Sequence, residues 1–466
     1  MRAEAGPYRA RDIVQACGGV LLSGDPEISF DAISTDSRDI RENDLFVPLK
    51  GPNFDGHDFV LPALEAGARG SLLGRDDHRE FLQDLPNYVL IQVQDTCRAL
   101  SDLASAYRQT LTLPLIAVTG SSGKTSVKEM IAAVLGRSHH PLVSQGNFNN
   151  MIGLPMTILN LRPEHTVAVV EAGINICGEM AYLARAACPD VAVITTIGPV
   201  HLEGLGSVEN VAREKFLLVE RLTAQGTAVL PSENPQLEDL ATRVPCRVVF
   251  FGIETGDFRA SRVRLGKETS FEMITPLGNQ EIQLPVPGRH SVANALAAAA
   301  ACMAVGASLR DVAEGLAAFT PLFGRMERVP LSGDRTLIRD CYNANPQSMA
   351  AALEVLAGNG RGLKTLAVLA DMMELGEDAE ALHAEAGRMA ARLSIARLVV
   401  VGAYGEAFVE GFIEAGGDRD SITWTRDKQE AWKIIEPHLD SFGTILVKGS
   451  RVMKMETIAD QILKEN

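Results

Sequence analysis

The run Leu115-Ile116-Ala117-Val118-Thr119-Gly120-Ser121-Ser122-Gly123-Lys124-Thr125-Ser126 constrains this chain more than any other. Five apolar-leaning residues predict a buried strand, and the Gly/Ser stretch predicts a tight turn. Val127, Met130, Ile131, Val134 and Leu135 then fall at helical spacing, and Gly136 ends the run. Strand, Gly-rich turn and helix start are the setting of a phosphate-binding loop, whose N–H groups and helix dipole face phosphate oxygens. Lys124 is placed to reach terminal phosphates, and the Thr125 hydroxyl to ligate Mg²⁺. Val118 stands where the general G-x-x-x-x-G-K-[ST] pattern has its first Gly, so this is a shortened variant. Gly120 and Gly123 still let a phosphate approach. An ordinary strand–helix turn is the competing reading, and Lys-Thr at the helix start weighs against it.

The chain has 466 residues, enough for two to four domains with sizeable cores. Its 46% hydrophobic and 22% charged residues are those of a globular protein. A net charge of −15 argues against nucleic-acid binding by the whole surface and leaves a local basic pocket open. The seven cysteines form no C-x-x-C pair, as expected of free thiols in a reducing cytoplasm. Met1 to Pro7 lacks the apolar stretch of a signal peptide, and the longest apolar run, Ala295 to Val305, is too short to span a bilayer. A cytoplasmic protein without membrane insertion is expected.

Three α/β units are expected. Residues 1–110 read as a smaller N-terminal α/β domain in which short strands alternate with polar turns. There Asp36-Ser37-Arg38 offers hydroxyl and guanidinium donors to a polar or phosphorylated ligand, or forms a surface turn. Residues 111–321 form the central P-loop unit. The stretch Ser144 to Pro155 reads as a loop dense in amides, Asn149 and Asn150 among them. Glu171 ends a second buried strand, at the end where α/β sheets bind ligands, and a Mg²⁺ role is favoured for it. His201 follows a third strand, as a ligand or as a core or capping histidine. Lys215 lies on a helix from Val208 to Leu222 and reads as a snorkelling surface lysine. Asn294 shares a helix face with His290, to meet an adenine edge or to cap or pack. Residues 322–466 alternate strand and helix as a Rossmann-like sheet. Its strand ends carry Asp340 to Pro346, Asp371 to Gly376 and Lys448 to Arg451, three polar clusters that mark a site along one sheet edge.

Together these segments resemble the Mur ligase family over nearly the whole chain. Thr119 to Ser126 is similar to the family's short phosphate loop. Glu171-Ala172-Gly173 and His201-Leu202-Glu203 resemble its two metal-site segments. Asp340-Cys341-Tyr342-Asn343-Ala344-Asn345-Pro346, Asp371-Met372-Met373-Glu374-Leu375-Gly376, Thr35-Asp36-Ser37-Arg38 and Asp55-Gly56-His57-Asp58-Phe59 are most like the branch that adds D-alanyl-D-alanine to UDP-N-acetylmuramoyl-tripeptide. Ser291 departs from the Asn usual there, and Ala370 from a usual Gly.

The resemblance implies ATP-driven amide formation through an acyl phosphate in cytoplasmic peptidoglycan precursor synthesis. Gly120, Ser121, Ser122, Gly123, Lys124, Thr125 and Ser126 would hold the nucleotide phosphates, and Asn294 the adenine. Arg325 and Asp340 would close over the nucleotide from the last domain. Thr125 and Glu171 would hold one Mg²⁺ and His201 a second. Lys215 aligns with the lysine that the family carbamylates, which reverses the surface reading. Asp36, Ser37 and Arg38 would meet the UDP-sugar, and Asn149, Asn150, Tyr342, Asn343 and Asn345 the peptide ends. Lys124, Glu171, His201 and Lys215 would carry the catalysis. Partners would be small molecules only, with the chain a monomer. Because three units contribute, the last must close on the others, with hinges expected near residues 111 and 322. Two alternatives are a folylpolyglutamate synthase-like ligase and a P-loop nucleotide switch. Residues 1–110 argue against the first, and the polar strand ends of the third unit against the second.

Overall fold

The computed structural model describes residues 1–51, 53–74, 85, 87–358 and 364–466. The central sheet has six strands in the order Pro141–Val143, Val167–Glu171, Leu115–Thr119, Val191–Ile194, Thr227–Pro231 and Arg247–Phe251. All are parallel. Parallel strands need both faces covered, which is why they read as unbroken apolar runs. Alternate side chains serve opposite faces: Leu115 and Ala117 belong to one apolar cluster, Ile116 and Val118 to another. The Leu115–Thr119 strand lies mid-sheet, between neighbours that follow it in the chain, so the crevice beyond its carboxyl end is a topological switch point.

One face is covered by the Lys124–Leu135 and Arg289–Ala304 helices. The alanines of the second keep the layer thin. A three-stranded antiparallel sheet, Arg259–Arg264, Thr269–Thr275 and Gly278–Leu284, extends that layer. The other face is covered by the Gly153–Ile158, Glu179–Ala187 and Val208–Glu220 helices, on which the N-terminal unit packs; its six-stranded sheet has a parallel centre and antiparallel edge strands, Arg2–Ala3 and Val20–Ser23. A single apolar cluster runs through both units, from Ala3, Phe30 and Leu100 to Ala168, Ile194 and Leu230. Tyr8 Oη donates to Leu159 O at 2.7 Å, Tyr107 Oη to Leu161 O at 2.5 Å, and Arg108 pairs with Asp190 at 2.6 Å. The expected hinge near residue 111 therefore joins two units that share one core.

The last sheet runs Glu327–Leu331, Arg335–Asp340, Phe442–Lys448, Lys364–Ala370, Arg397–Val401 and Ile422–Thr425. Only the first strand is antiparallel. Its two faces carry their own clusters. The two edge strands, Glu327–Leu331 and Ile422–Thr425, are only partly buried and lack a continuous apolar run. The Ser144–Pro155 loop is also shorter than expected, since Gly153–Ile158 is helical, with Asn150 Oδ1 accepting the Gly153 N–H at 2.8 Å.

Candidate active site

The phosphate loop bends at Gly120, φ +148°, and Gly123, φ +81°, a conformation that favours glycine at both. A Cβ on Gly120 would collide with Thr195 Oγ1, and one on Gly123 would lie 2.5 Å from Asn294 Oδ1. Ser121 Oγ donates to Gly198 O at 3.0 Å, and Thr196 Oγ1 accepts the Ser122 N–H at 3.0 Å. The loop is thus pinned to the strand-end segment 195–198. Lys124 Nζ donates to Gly120 O at 2.8 Å, folded back over the turn. Burial lowers its pKa, Glu171 opposes that, and Arg325 adds to it.

Thr125 Oγ1 donates to Glu171 Oε2 at 2.8 Å. Asn149 Nδ2 donates to Glu171 Oε1 at 2.8 Å. The carboxylate thereby joins the phosphate loop to the amide-rich loop. Lys215 is 1% exposed, which overturns the snorkelling reading. Burial drives its amine well below the ordinary lysine range, Lys124 adds to that, and Glu171 opposes it. The amphipathic pattern of its helix gave no sign of this, because the groups it approaches are distant in sequence. His201, at φ +51°, contacts Glu374 through Nδ1. Burial lowers its pKa and Glu374 raises it.

The last unit sits against this surface. Asn345 Nδ2 donates to Ser121 O at 3.1 Å, and Gln347 Nε2 to Ile197 O at 2.8 Å. A Cβ on Gly198 would collide with the Gln347 amide. Asp340 is held by Lys448 Nζ at 2.5 Å and accepts the Met326 N–H at 3.0 Å. The Arg325 guanidinium lies 4.0 Å from the Tyr342 ring centroid, and Arg451 5.9 Å from it. Between the units is a cavity of about 570 Å³, within the usual range of small-molecule and cofactor pockets. Its lining includes Ser121 to Ser126, Asn149, Asn150, Glu171, His201, Asn294, Arg325, Asp340, Tyr342, Asn343 and Asn345.

Asp36, Ser37 and Arg38 lie outside that cavity, in a turn after the Ala32–Ser34 strand. Arg38 is 88% exposed and pairs with Asp36 at 2.8 Å, which holds that carboxyl well below its usual range. Glu374, Lys448 and Arg451 stood in the sequence clusters without a role, while Gln347 and Thr196 carried no signal at all. Each acquires its partner only through tertiary structure: Glu374 and Gln347 where two units meet, Lys448 on a neighbouring strand, Arg451 and Thr196 where loops come together.

A parallel sheet ending in a phosphate loop, a second unit against its mouth and a third sharing its core define a three-unit α/β protein with a cavity between units. Family models match in the same order: Mur ligase family, catalytic domain, over residues 29–108; Mur ligase middle domain over 118–302; and Mur ligase, glutamate ligase domain, over 324–451. The chain belongs to the Mur ligase family. It is 39% identical over 455 residues to the UDP-N-acetylmuramoyl-tripeptide–D-alanyl-D-alanine ligase of Escherichia coli, covering 96% of this chain and 97% of that one. A crystal structure of MurF from Acinetobacter baumannii superposes with a TM-score of 0.90 at 33% identity, over 99% of this chain and all of that one. MurF ligase from Thermotoga maritima, in complex with ADP, gives 0.81 at 26% identity, over 93% and 97%.

Proposed function

We propose that this chain is an ATP-dependent, ADP-forming amide ligase that joins D-alanyl-D-alanine to UDP-N-acetylmuramoyl-tripeptide in peptidoglycan precursor synthesis. The observation that carries the reading is the cavity between Lys124, Glu171 and His201 on one wall and Arg325, Asp340 and Tyr342 on the other. The near full-length likeness to ligases of that name supports it.

A carboxylate and an amine do not condense in water, so the carboxylate must be activated. The ATP γ-phosphoryl group passes to a terminal carboxylate oxygen of the tripeptide and ADP leaves. The dipeptide amine attacks the acyl carbon, the bond to the phosphate oxygen breaks, and the nitrogen loses a proton as phosphate departs. The protein's part is positioning and charge neutralisation. In this reading Gly120, Ser121, Ser122, Gly123 and Ser126 cradle phosphates, and Lys124 leaves the Gly120 carbonyl to meet the γ-phosphate. Asn294, packed on Gly123, meets the adenine, and Arg325 and Asp340 close over the nucleotide. Asp36, Ser37 and Arg38 meet the UDP end. Asn149, Asn150, Tyr342, Asn343 and Asn345 meet the peptide ends. The units would divide at residues 110 and 321, and one chain supplies every group.

The donor set fits Mg²⁺. The oxygens of Thr125 and Glu171 lie side by side beside Lys124. Among the described residues no cluster of three or more His, Cys, Asp or Glu is assembled, so phosphate and water oxygens would complete the shell. Mg²⁺ there would neutralise charge on the transferring phosphoryl group. His201 would face a second ion. Burial holds the Lys215 amine well below the ordinary lysine range, which favours the uncharged form that CO₂ would convert to a carbamate, and the resulting anion would offset the charge of Lys124.

The test is phosphate release with UDP-N-acetylmuramoyl-tripeptide, with and without D-alanyl-D-alanine. ATP turnover that needs both substrates is expected. Turnover indifferent to both would sink the reading in favour of a nucleotide switch.

A further inference from the structure

Lys128 is 0% exposed, although it falls on the phosphate-loop helix one turn beyond Lys124. A lysine is almost never fully buried without partners that justify the loss of hydration. Its Nζ donates to Ser144 O at 2.6 Å and lies 2.8 Å from Glu129 Oε1. Neither partner is a nucleotide group.

Ser144 is itself a junction. Pairing between Pro141–Val143 and Val167–Glu171 ends at Val143 opposite Val169. Beyond it the Ser144 N–H donates to Val169 O at 3.0 Å, and Ser144 Oγ accepts the Glu171 N–H at 3.3 Å. The hydroxyl takes over the bond that the ladder stops supplying. The Ser144 carbonyl starts the loop that carries Asn149 to Glu171 Oε1 and lines the cavity with Gly146, Asn147 and Asn150. One ammonium therefore fixes the residue that sets both the main chain of Glu171 and the origin of the amide loop.

We infer that Lys128 is a positioning residue for the acyl-donor side of the site. It acts through Ser144 on Glu171 and Asn149, so its effect on ATP runs through the Mg²⁺ that Thr125 and Glu171 would hold and vanishes when Mg²⁺ is saturating. The inference rests on the ligase reading. A charge-assisted hydrogen bond in a buried site is worth about one to two orders of magnitude in an equilibrium or a rate. The loss should fall on one substrate, because Lys128 touches neither the Gly120–Gly123 turn nor Asn294.

The experiment compares wild type, Lys128→Met, Lys128→Arg and Ser144→Ala in the full chain. Calorimetric affinities for a non-hydrolysable ATP analogue and for UDP-N-acetylmuramoyl-tripeptide are read beside KM, kcat and the Mg²⁺ activation midpoint. For Lys128→Met at saturating Mg²⁺, affinity for the ATP analogue should hold within about twofold. Affinity for the nucleotide-sugar peptide should fall about tenfold or more, with a higher Mg²⁺ midpoint. Lys128→Arg, which keeps a donor, should recover part of the loss. Ser144→Ala keeps the carbonyl partner of Lys128 but removes the acceptor for Glu171, and should reproduce the Mg²⁺ shift. Equal loss for both ligands would overturn the inference, as would activity that merely tracks the folded fraction or a Ser144→Ala protein like wild type. Wild-type protein that fails to turn over would defeat the ligase reading instead.

Discussion

Lys124 rests on a carbonyl of its own turn, in surroundings that disfavour its charge and with Arg325 nearby. Removing it takes away a partly buried cation rather than a packing contact. Lys124→Ala should lower turnover by at least about a hundredfold with the thermal midpoint unchanged; retained activity in the phosphate-release assay would contradict the phosphate-loop assignment. His290 carries a different consequence. Burial pushes its pKa down to about 4, with Asp340 opposing. It is neutral in the folded chain and takes up a proton on unfolding below about pH 6.5. Stability linked to it is complete above pH 6.5 and is lost as pH falls towards 4, by at most about 1.4 kcal/mol per pH unit. Denaturant melts of wild type and His290→Phe across pH 4–7 should differ in slope, the variant being flatter.

At the scale of elements, the site is made where the Arg289–Ala304 helix meets the phosphate loop. The close approach of Asn294 to Gly123 leaves no room for a methyl group. Gly123→Ala also meets a backbone angle unsuited to alanine. It should raise KM for ATP at least tenfold, since both the turn and Asn294 must shift, while the KM for D-alanyl-D-alanine changes little. Steady-state kinetics with each substrate varied in turn would check this. The opposite wall depends on the Arg335–Asp340 and Phe442–Lys448 strands, which pair in parallel with Asp340 beside Lys448. Lys448→Met leaves that buried carboxylate without its cation, which should cost about 3–5 kcal/mol. Chemical denaturation should show the loss in the unfolding of the last unit.

For the whole molecule, the partition of apolar surface decides what moves. The first two units share one cluster, whereas the last keeps separate clusters on its two sheet faces. Apart from Leu382, which packs against the first cluster, the last unit meets the others chiefly through polar contacts: Asn345 with Ser121, Gln347 with Ile197, Glu374 with His201, and the Glu203 N–H to Glu374 O at 3.3 Å. Polar seams of this kind open and close readily. Calorimetry should show the first two units melting as one transition and the last as another, raised and merged by an ATP analogue. Scattering should show the radius of gyration rising when Gln347→Ala and Asn345→Ala remove two of the seam's donors. A first unit that melts by itself would defeat this partition.

Sequence by itself determined the strand–turn–helix at Leu115 to Leu135, the two other α/β units, and sixteen of the 38 residues that line the cavity. These are local matters: apolar runs make buried parallel strands, and Gly-Lys-Thr at a helix start makes an anion site wherever it occurs. The family likeness was equally legible, because the specific segments are contiguous in the chain. Tertiary structure alone decided the rest. Lys128 and Lys215 look like surface lysines until the sheet and its loops close around them. Glu374, Gln347 and Lys448 acquire partners more than a hundred residues away. The hinge that residue 111 promised is closed by apolar side chains from both of its flanks. Each of these depends on which surfaces are excluded from water together, and that is settled by packing between units rather than by any stretch of chain.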